Sequence, residues 1–501
     1  MLARRTFYRF ATMLTALALA VIGTSCGDDG HGHSASPTQY AFSTTRLCAL
    51  VPARDPAAAA FPPQPPVRVF GTDLGWTYER DGVITILFGD SWQRIDICPL
   101  QPNDDTLGIL AMPPDDWPGF EATQSLPDDQ CPTITYPVDQ AGTSFAPIEL
   151  NRWDGVPVPL GPLNTPVTGF FDGQREWAVF LVGGGQSCTS EDSIAGVPCP
   201  SSLSRQASDL TCGFVDVQPQ CLDPTSTKSA PGNQAYYLHF AERVGPSQYI
   251  TRAMFLTNKY LNLTARTVTE FDESGRHDYS PGPGALLMWG RPGFNDQERD
   301  GEAPPFFMYH RLPLTVVDGL LEFAPRYLTG LQDGNPTFGD NQRAAVPLYN
   351  NEFEPVNHAA VSWIAPLRRW LMIYGGSVVD LDDPNNIAGL SQPVRRAMYA
   401  RTAADPWGPW TDAEPVLTQE QVAEDLACGR QQFAGCLPEP SPRIRPGCIE
   451  FIEPNAGGHL YGANIIDSYT RARGREADVF WVISTWHPYS VVLVKTRVAP
   501  E

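Results

Sequence analysis

Charge is scarce in this chain, and positive charge is scarcer still. Only 18% of its 501 residues are Asp, Glu, Lys or Arg, and 35 basic residues face 56 acidic ones, for a formal net charge of −21. That balance repels phosphate backbones and anionic lipid headgroups. It excludes nucleic acid and charged membrane surfaces as partners but leaves a neutral glycan open. No two cysteines have C-x-x-C spacing, which removes zinc ribbons and thioredoxin-type redox chemistry. The chain has no H-E-x-x-H, and its one G-x-S-x-G, Gly23-Thr24-Ser25-Cys26-Gly27, falls at the end of the N-terminal apolar run and not on a strand-to-helix turn, so serine-hydrolase and zincin chemistry have no sequence support. Gly183-Gly184-Gly185 is not followed by the Lys-Ser/Thr of a phosphate loop. Helix signals are few; the best is TQEQVAEDLA at 418–427, after a Thr418 cap.

The N-terminus reads as an export signal. Arg4, Arg5 and Arg9 form a basic region, and the apolar run 11–22 is too short to span a bilayer. Gly23-Thr24-Ser25-Cys26 resembles a bacterial lipoprotein cleavage box, with Gly23 where an aliphatic residue is usual. Residues 1–25 are then the signal peptide and Cys26 the lipidated first residue. Membrane contact is expected only through that lipid, at the bacterial cell envelope. Ordinary cleavage nearby is the alternative, and it gives a periplasmic or secreted protein. Arg4-Arg5-Thr6-Phe7 also resembles, weakly, a twin-arginine signal. Residues 26–45 read as a polar tether, and 46–501 as one domain large enough for an extensive core.

Setting Cys26 aside leaves ten cysteines: Cys48, Cys98, Cys131, Cys188, Cys199, Cys212, Cys221, Cys428, Cys436 and Cys448. In an oxidising compartment an even set of this kind reads as disulfides pinning long loops, with the connectivity open.

Pro (49), Gly (43), Tyr (17) and Trp (12) are abundant, as in a loop-rich β protein. Five segments share one style, a strand pair around a charged turn that ends in Gly or an apolar run: 76–89, 170–184, 286–309, 358–375 and 461–493. Outer-strand candidates lie between them at 107–111, 235–241, 249–256 and 394–400. Hairpin-centred units of roughly 70–100 residues suggest an all-β, five-bladed β-propeller with long disulfide-pinned loops. A β-sandwich with long insertions is the alternative.

Residues 70–92, FGTDLGWTYERDGVITILFGDSW, carry the chemistry. Asp81-Gly82 is a strong two-residue hairpin turn. An uninterrupted register from it opposes Arg80 to Val83, Tyr78 to Thr85, Trp76 to Leu87 and Asp73 to Asp90. Directly opposed residues hold their Cβ atoms about 4.5–5.5 Å apart, and like charges there cost stability. Two such carboxyls can act as acid and base, or as acid and nucleophile, in glycoside hydrolysis. Asp also serves in turns and at strand ends, so the pair has a purely structural reading as well.

Glu354, in NNEFEPVNH just before a strand, is a third catalytic candidate, able to orient hydroxyls or stabilise a cationic transition state. His358 ends that segment and is a candidate substrate contact, although a structural role is the commoner one for a His so placed. Trp92, Trp289, Arg291, Trp486 and His487 are candidate sugar contacts, because aromatic faces stack on sugar C–H surfaces and Arg offers forked donors. No cofactor is expected. Oxygen ligands for Ca²⁺ could come from DLDDPNN at 380–386, but its spacing is not that of a calcium loop, and an acidic surface loop is the plainer reading.

GTDLGW…LFGDSW near the start, MWGRPGF in the middle and YGANII…STWHPYSVVL at the end resemble, in that order, the domain-of-unknown-function 4185 family. The resemblance runs from about residue 70 to 498. It implies a five-bladed propeller, and the family includes secreted endo-D-arabinanases that cut furanose polymers of mycobacterial cell walls. Asp73 matches the family's T-D-L-G aspartate and Asp90 its G-D-S/T aspartate; Tyr461 and Asn464 are implied as site residues by the motif alone. The Cys-containing inserts at 187–228 and 414–447 would reshape a cleft, so the resemblance leaves the exact sugar open, with a furanose polymer such as arabinan as the candidate substrate. The expected function is an exported glycoside hydrolase acting on a polysaccharide. A non-catalytic glycan- or protein-binding propeller and a disulfide-held surface scaffold are the competing classes.

Overall fold

Strands rich in β-branched and aromatic residues pair, in sequence order, into five sheets arranged as blades around a central channel. The computed structural model describes residues 39–51, 69, 72–91, 104–140, 142, 144–158, 160, 164–182, 193–194, 197–198, 236–257, 259–273, 275–291, 305–332, 334–349, 356–378, 395–417, 459–486 and 490–501. All of them fall in one unit, Gln39–Glu501. The inner strands are Leu74–Arg80, Thr165–Phe171, Thr264–Val268, Val356–Ile364 and His459–Ile465. Each touches the next and the last touches the first, so the ring closes. The protein is an all-β five-bladed propeller.

Blade 1 continues outward through Val83–Ser91, Asp104–Leu110 and Ile134–Thr135. Blade 2 adds Glu176–Val182, Tyr236–Arg243 and Gln248–Thr257, then gains Glu149–Arg152 as a parallel neighbour on its outer edge. Blade 3 adds Ala285–Gly290, Phe306–Arg311 and Arg326–Gln332; blade 4 adds Arg369–Val378, Arg395–Ala403 and Glu414–Leu417. Blade 5 adds Glu476–Trp486 and Ser490–Pro500, and is completed by the N-terminal strand Tyr40–Val51.

That last pairing corrects the expected tether. The chain from Tyr40 to Thr45 is not a spacer: Tyr40 pairs with Pro500 and Thr45 with Lys495. The physical reason is edge satisfaction, because the C-terminal strand alone would leave an open row of backbone donors and acceptors. The segment 286–309 also differs from expectation, since it forms the second and third strands of blade 3. Its inner strand, TARTV, is short and carries no apolar run for a sequence reading to catch. The four outer-strand candidates coincide with strands of blades 1, 2 and 4.

Five hydrophobic cores lie one at each blade interface. Each blade therefore divides its side chains by strand alternation. In blade 1, Trp76, Tyr78 and Leu87 face blade 2, while Ile84, Ile86 and Phe88 face blade 5. Both sheet faces are covered, which is why these strands read as nearly continuous apolar runs.

One disulfide occurs among the described residues, Cys48–Cys131, tying the N-terminal strand to the segment that follows the third strand of blade 1. It staples strand to blade rather than pinning a long insert. Cys26 and the other eight cysteines lie outside the described residues, as do the 418–427 helix candidate and the 380–386 loop.

Candidate functional site

Blade 1's inner hairpin turns as its sequence requires. Asp81 (φ 50°) and Gly82 (φ 78°) make the two-residue turn, and pairing runs from Arg80–Val83 to Trp76–Leu87 in the expected register. The register then slips. Leu74 (φ 65°) and Gly75 (φ 105°) form a bulge, so Leu74 pairs with Phe88 instead of Gly89. Two successive positive-φ residues cannot continue the pleat, and the extra residue shifts everything beyond it by one. The Gly89 N–H donates to the Asp73 carbonyl at 3.2 Å. Asp73 thus lies against Gly89, and the direct Asp73–Asp90 opposition expected from the turn does not occur. A second irregularity, between Phe88 and Ser91, leaves Asp90 within a break in the pairing of its strand with Asp104–Leu110.

The bulge folds the Asp73 side chain over glycine. A Cβ on Gly89 would lie 2.3 Å from Asp73 Oδ1 and 2.7 Å from Thr165 Oγ1. Asp73 is 7% exposed. Its Oδ2 accepts a hydrogen bond from the Tyr461 hydroxyl at 2.6 Å. Its Oδ1, like Thr165 Oγ1, is buried with no hydrogen-bond partner among the described residues. Burial pushes the Asp73 carboxyl well above the ordinary carboxylate range; the Asp90 charge adds to this, and the Tyr461 hydrogen bond only partly offsets it. Asp90 is partly exposed. The aspartates therefore remain electrostatic neighbours although they are not a register pair.

Aromatic rings extend this group. The His358 ring stacks on Trp76 with centroids 5.7 Å apart and meets the Tyr461 ring edge-on at 6.1 Å. Asp73, Thr165, His358 and Tyr461 come from blades 1, 2, 4 and 5. Each sits in the first part of its inner strand or, for Asp73, just before it. Convergence at one channel mouth follows from that shared position. Trp76 and Thr165 were not singled out from the sequence. The signal that finds them is blade equivalence, since Asn164-Thr165 opens blade 2 where Thr72-Asp73 opens blade 1.

The other candidates divide. Arg291 is buried directly after the second strand of blade 3, at the end where that blade's inner strand begins, and its carbonyl accepts from the Leu261 N–H. Asn464 lies deeper and joins blades 5 and 1, its Oδ1 accepting from the Thr77 N–H (3.1 Å) and hydroxyl (2.6 Å). Trp289 is not a platform at the cleft. It is 1% exposed, donates its indole N–H to the Pro406 carbonyl, and packs against Trp370 between blades 3 and 4. On that strand, alternation turns residue 289 toward the interface. Trp92, Glu354 and His487 lie outside the described residues, and of Trp486 only the strand position opposite His459 is described. Among the described residues no cluster of His, Cys, Asp or Glu is placed to hold a metal ion.

Burial raises the pKa of Asp73 beside the more exposed Asp90. Pairs whose surroundings push their pKa values apart can divide the roles of acid and base.

No protein-family model and no curated protein matches the chain. Solved structures do. A putative hydrolase from Bacteroides ovatus is similar at 11% identity and a TM-score of 0.39, over 86% of each chain. The catalytic domain of the Coprinopsis cinerea GH62 alpha-L-arabinofuranosidase is similar at 9% identity and a TM-score of 0.34, over 92% of this chain and 98% of that one. An N-acetylgalactosamine deacetylase from F. plautii is similar at 11% identity and a TM-score of 0.38, over 92% of this chain and 95% of that one. At such identities and scores these likenesses carry no chemistry across to this chain.

Proposed function

We propose that the protein is a glycoside hydrolase of the cell envelope that cleaves a polysaccharide, with a furanose polymer such as arabinan as the leading substrate class. The observation that carries this reading is the Asp73 carboxyl, which is buried, raised in pKa, held by Tyr461 and set beside the more exposed Asp90. Asp73, its pKa raised by burial, would be the acid that donates its proton to the glycosidic oxygen. Asp90 would be the carboxylate that attacks the anomeric carbon or activates water. His358 and Tyr461 would line the sugar subsite, and Trp92, Glu354, Trp486 and His487 are further sugar-contact candidates on the strength of the sequence. The motif resemblance to the domain-of-unknown-function 4185 family supports the substrate class. The basic and apolar N-terminus supports export, with a lipid on Cys26 as the tether.

The test is a panel of plant and bacterial arabinans, galactans and other glycans, assayed for new reducing ends. Asp73→Asn and Asp90→Asn should each lower the rate roughly 10²–10⁴-fold. A rate unchanged in both variants would remove the catalytic assignment. Glycan binding without cleavage would make the propeller a binding module. For the tether, Cys26→Ser should shift the protein from the membrane fraction to the soluble fraction.

A further inference from the structure

Two bulges meet at the Asp73 mouth. One is the Leu74–Gly75 bulge of blade 1. The other lies in the inner strand of blade 5, where Gly462 (φ 66°) follows Tyr461 and the pairing with Glu476–Trp486 slips between Tyr461 and Asn464. The two are docked on each other. Ser484, which pairs with Tyr461, donates its hydroxyl to the Leu74 carbonyl at 2.6 Å, and a Cβ on Gly462 would lie 3.5 Å from Leu74 Cα. Bulges re-aim side chains out of the regular pleat. Here they bring the Tyr461 hydroxyl to 2.6 Å from Asp73 Oδ2. The other carboxyl oxygen, Oδ1, is turned inward over Gly89 and is buried. Asp73 as a whole is 7% exposed, whereas Tyr461 is partly exposed at the mouth.

We propose that Tyr461 is a catalytic residue that relays the Asp73 proton to the glycosidic oxygen, so that the phenol and not the carboxyl touches the substrate. The proposal rests on the glycosidase reading. A hydroxyl is donor and acceptor at once. With Asp73 ionised, the phenol donates to Oδ2. With Asp73 protonated, the same contact runs the other way: Oδ2–H donates to Tyr461 Oη, and the phenol proton is free to point at the substrate. In the step, the phenol O–H breaks as an O–H forms on the glycosidic oxygen. The bond from that oxygen to the anomeric carbon breaks, and its electron pair stays on the oxygen. The Asp73 O–H breaks in the same motion, and its proton replaces the one Tyr461 gave. Tyr461 therefore ends neutral, and Asp73 ends as a carboxylate accepting from it. Water returns the proton by the reverse path. Burial, and then the Asp90 charge, favour the protonated carboxyl, while the Tyr461 hydrogen bond favours the carboxylate left after transfer. Asp90, on the second strand of blade 1, and His358, whose ring meets Tyr461 edge-on from blade 4, are the titratable groups that face this pair. From blade 2 the facing group is the Thr165 hydroxyl, on the Oδ1 side.

The experiment is the pH dependence of kcat and kcat/KM for the full protein on arabinan, or on the panel glycan the parent cleaves fastest. The parent should lose rate as pH rises through the pKa of its acid. Tyr461→Phe should lower kcat roughly 10²–10⁴-fold with little change in KM, and should lose that basic limb as Asp73→Asn does. The double variant Asp73→Asn/Tyr461→Phe should be no slower than the worse single variant, because the two groups act as one unit. Thr165→Val should keep the limb, since its hydroxyl lies on the other carboxyl oxygen. If Tyr461 only holds Asp73 in place, Tyr461→Phe will instead keep the limb, displaced to higher pH by loss of a hydrogen bond that favours the carboxylate. That result, or loss of the limb in Thr165→Val alone, would overturn the relay. A measurement on the parent serves if Tyr461→Phe fails to fold: two protons in flight make kcat a curved function of the deuterium fraction of the solvent, and a straight line would also overturn the relay. A parent that cleaves no glycan removes the glycosidase reading and the relay with it, whereas an active parent whose Tyr461→Phe variant keeps the limb removes the relay alone.

Discussion

Asp73 owes its position to a neighbour with no side chain. Gly89→Ala would put a methyl 2.3 Å from Asp73 Oδ1, 2.7 Å from Thr165 Oγ1 and 2.8 Å from Leu74 Cδ1. Something must give, and the carboxyl is the group with freedom to swing. The expected outcome is a stability cost of about 1–3 kcal/mol and a loss of roughly 10²-fold in glycan cleavage, read by chemical denaturation and by the reducing-end assay. Asp73 also has a pH signature. Its folded pKa lies above the unfolded value of about 3.9, so the native state keeps a proton that the unfolded chain releases. Stability from this group is full below about pH 4 and falls as pH rises through the folded pKa. Asp73→Asn removes that titration. The variant should melt above the parent at pH 7, with the gap closing toward pH 4, and a variant no more stable than the parent at neutrality would contradict the assigned burial. The residue types at this mouth were legible in the sequence as T-D-L-G and G-D-S. Their spatial relation was not, because a bulge depends on Leu74 and Gly75 both adopting positive φ.

Between elements, blades 1 and 2 are joined by one carboxylate. Glu176, at the start of the second strand of blade 2, accepts from Arg80 (2.7 Å) and the Tyr78 hydroxyl (2.9 Å) of blade 1, and from Arg243 (2.7 Å) of its own blade. Burial alone would raise its pKa, but the Arg80 and Arg243 hydrogen bonds outweigh it and hold the carboxyl below its usual range. Stability from Glu176 is therefore present above the unfolded pKa of about 4.3 and is lost as pH falls through the folded value. Glu176→Gln should cost about 2 kcal/mol at pH 7 and almost nothing in acid, as compared by urea unfolding at the two pH values. This ion cluster had no sequence signature, since Arg80, Glu176 and Arg243 are brought together only by blade packing. The strands themselves were legible where both faces are buried, as in ILF or WAVFLV. The inner strand TARTV of blade 3 was hidden because three of its five side chains are polar.

At the scale of the whole ring, closure depends on the first described strand. Tyr40–Val51 completes blade 5 beside Ser490–Pro500, and Cys48–Cys131 fastens that closure to blade 1 across a sequence separation of 83. A loop of that length predicts about 3–5 kcal/mol of stabilisation. Cys131→Ser, or reduction of the parent, should lower the melting temperature, and no change in either case would mean the strand pairing alone holds the ring shut. The number and style of the units were readable in the chain itself, because strand alternation and turn chemistry are local. The expectations of export and of a partner other than nucleic acid rest on composition and the N-terminal pattern alone. Only the tertiary structure decided which strand closes the ring, that Asp73 lies over Gly89 and not opposite Asp90, and that Trp289 belongs to a core. The closing strand and the Trp289 core depend on residues far apart in the chain, which leave no trace in local sequence, and the Asp73 shift depends on two positive φ angles that residue types alone do not fix.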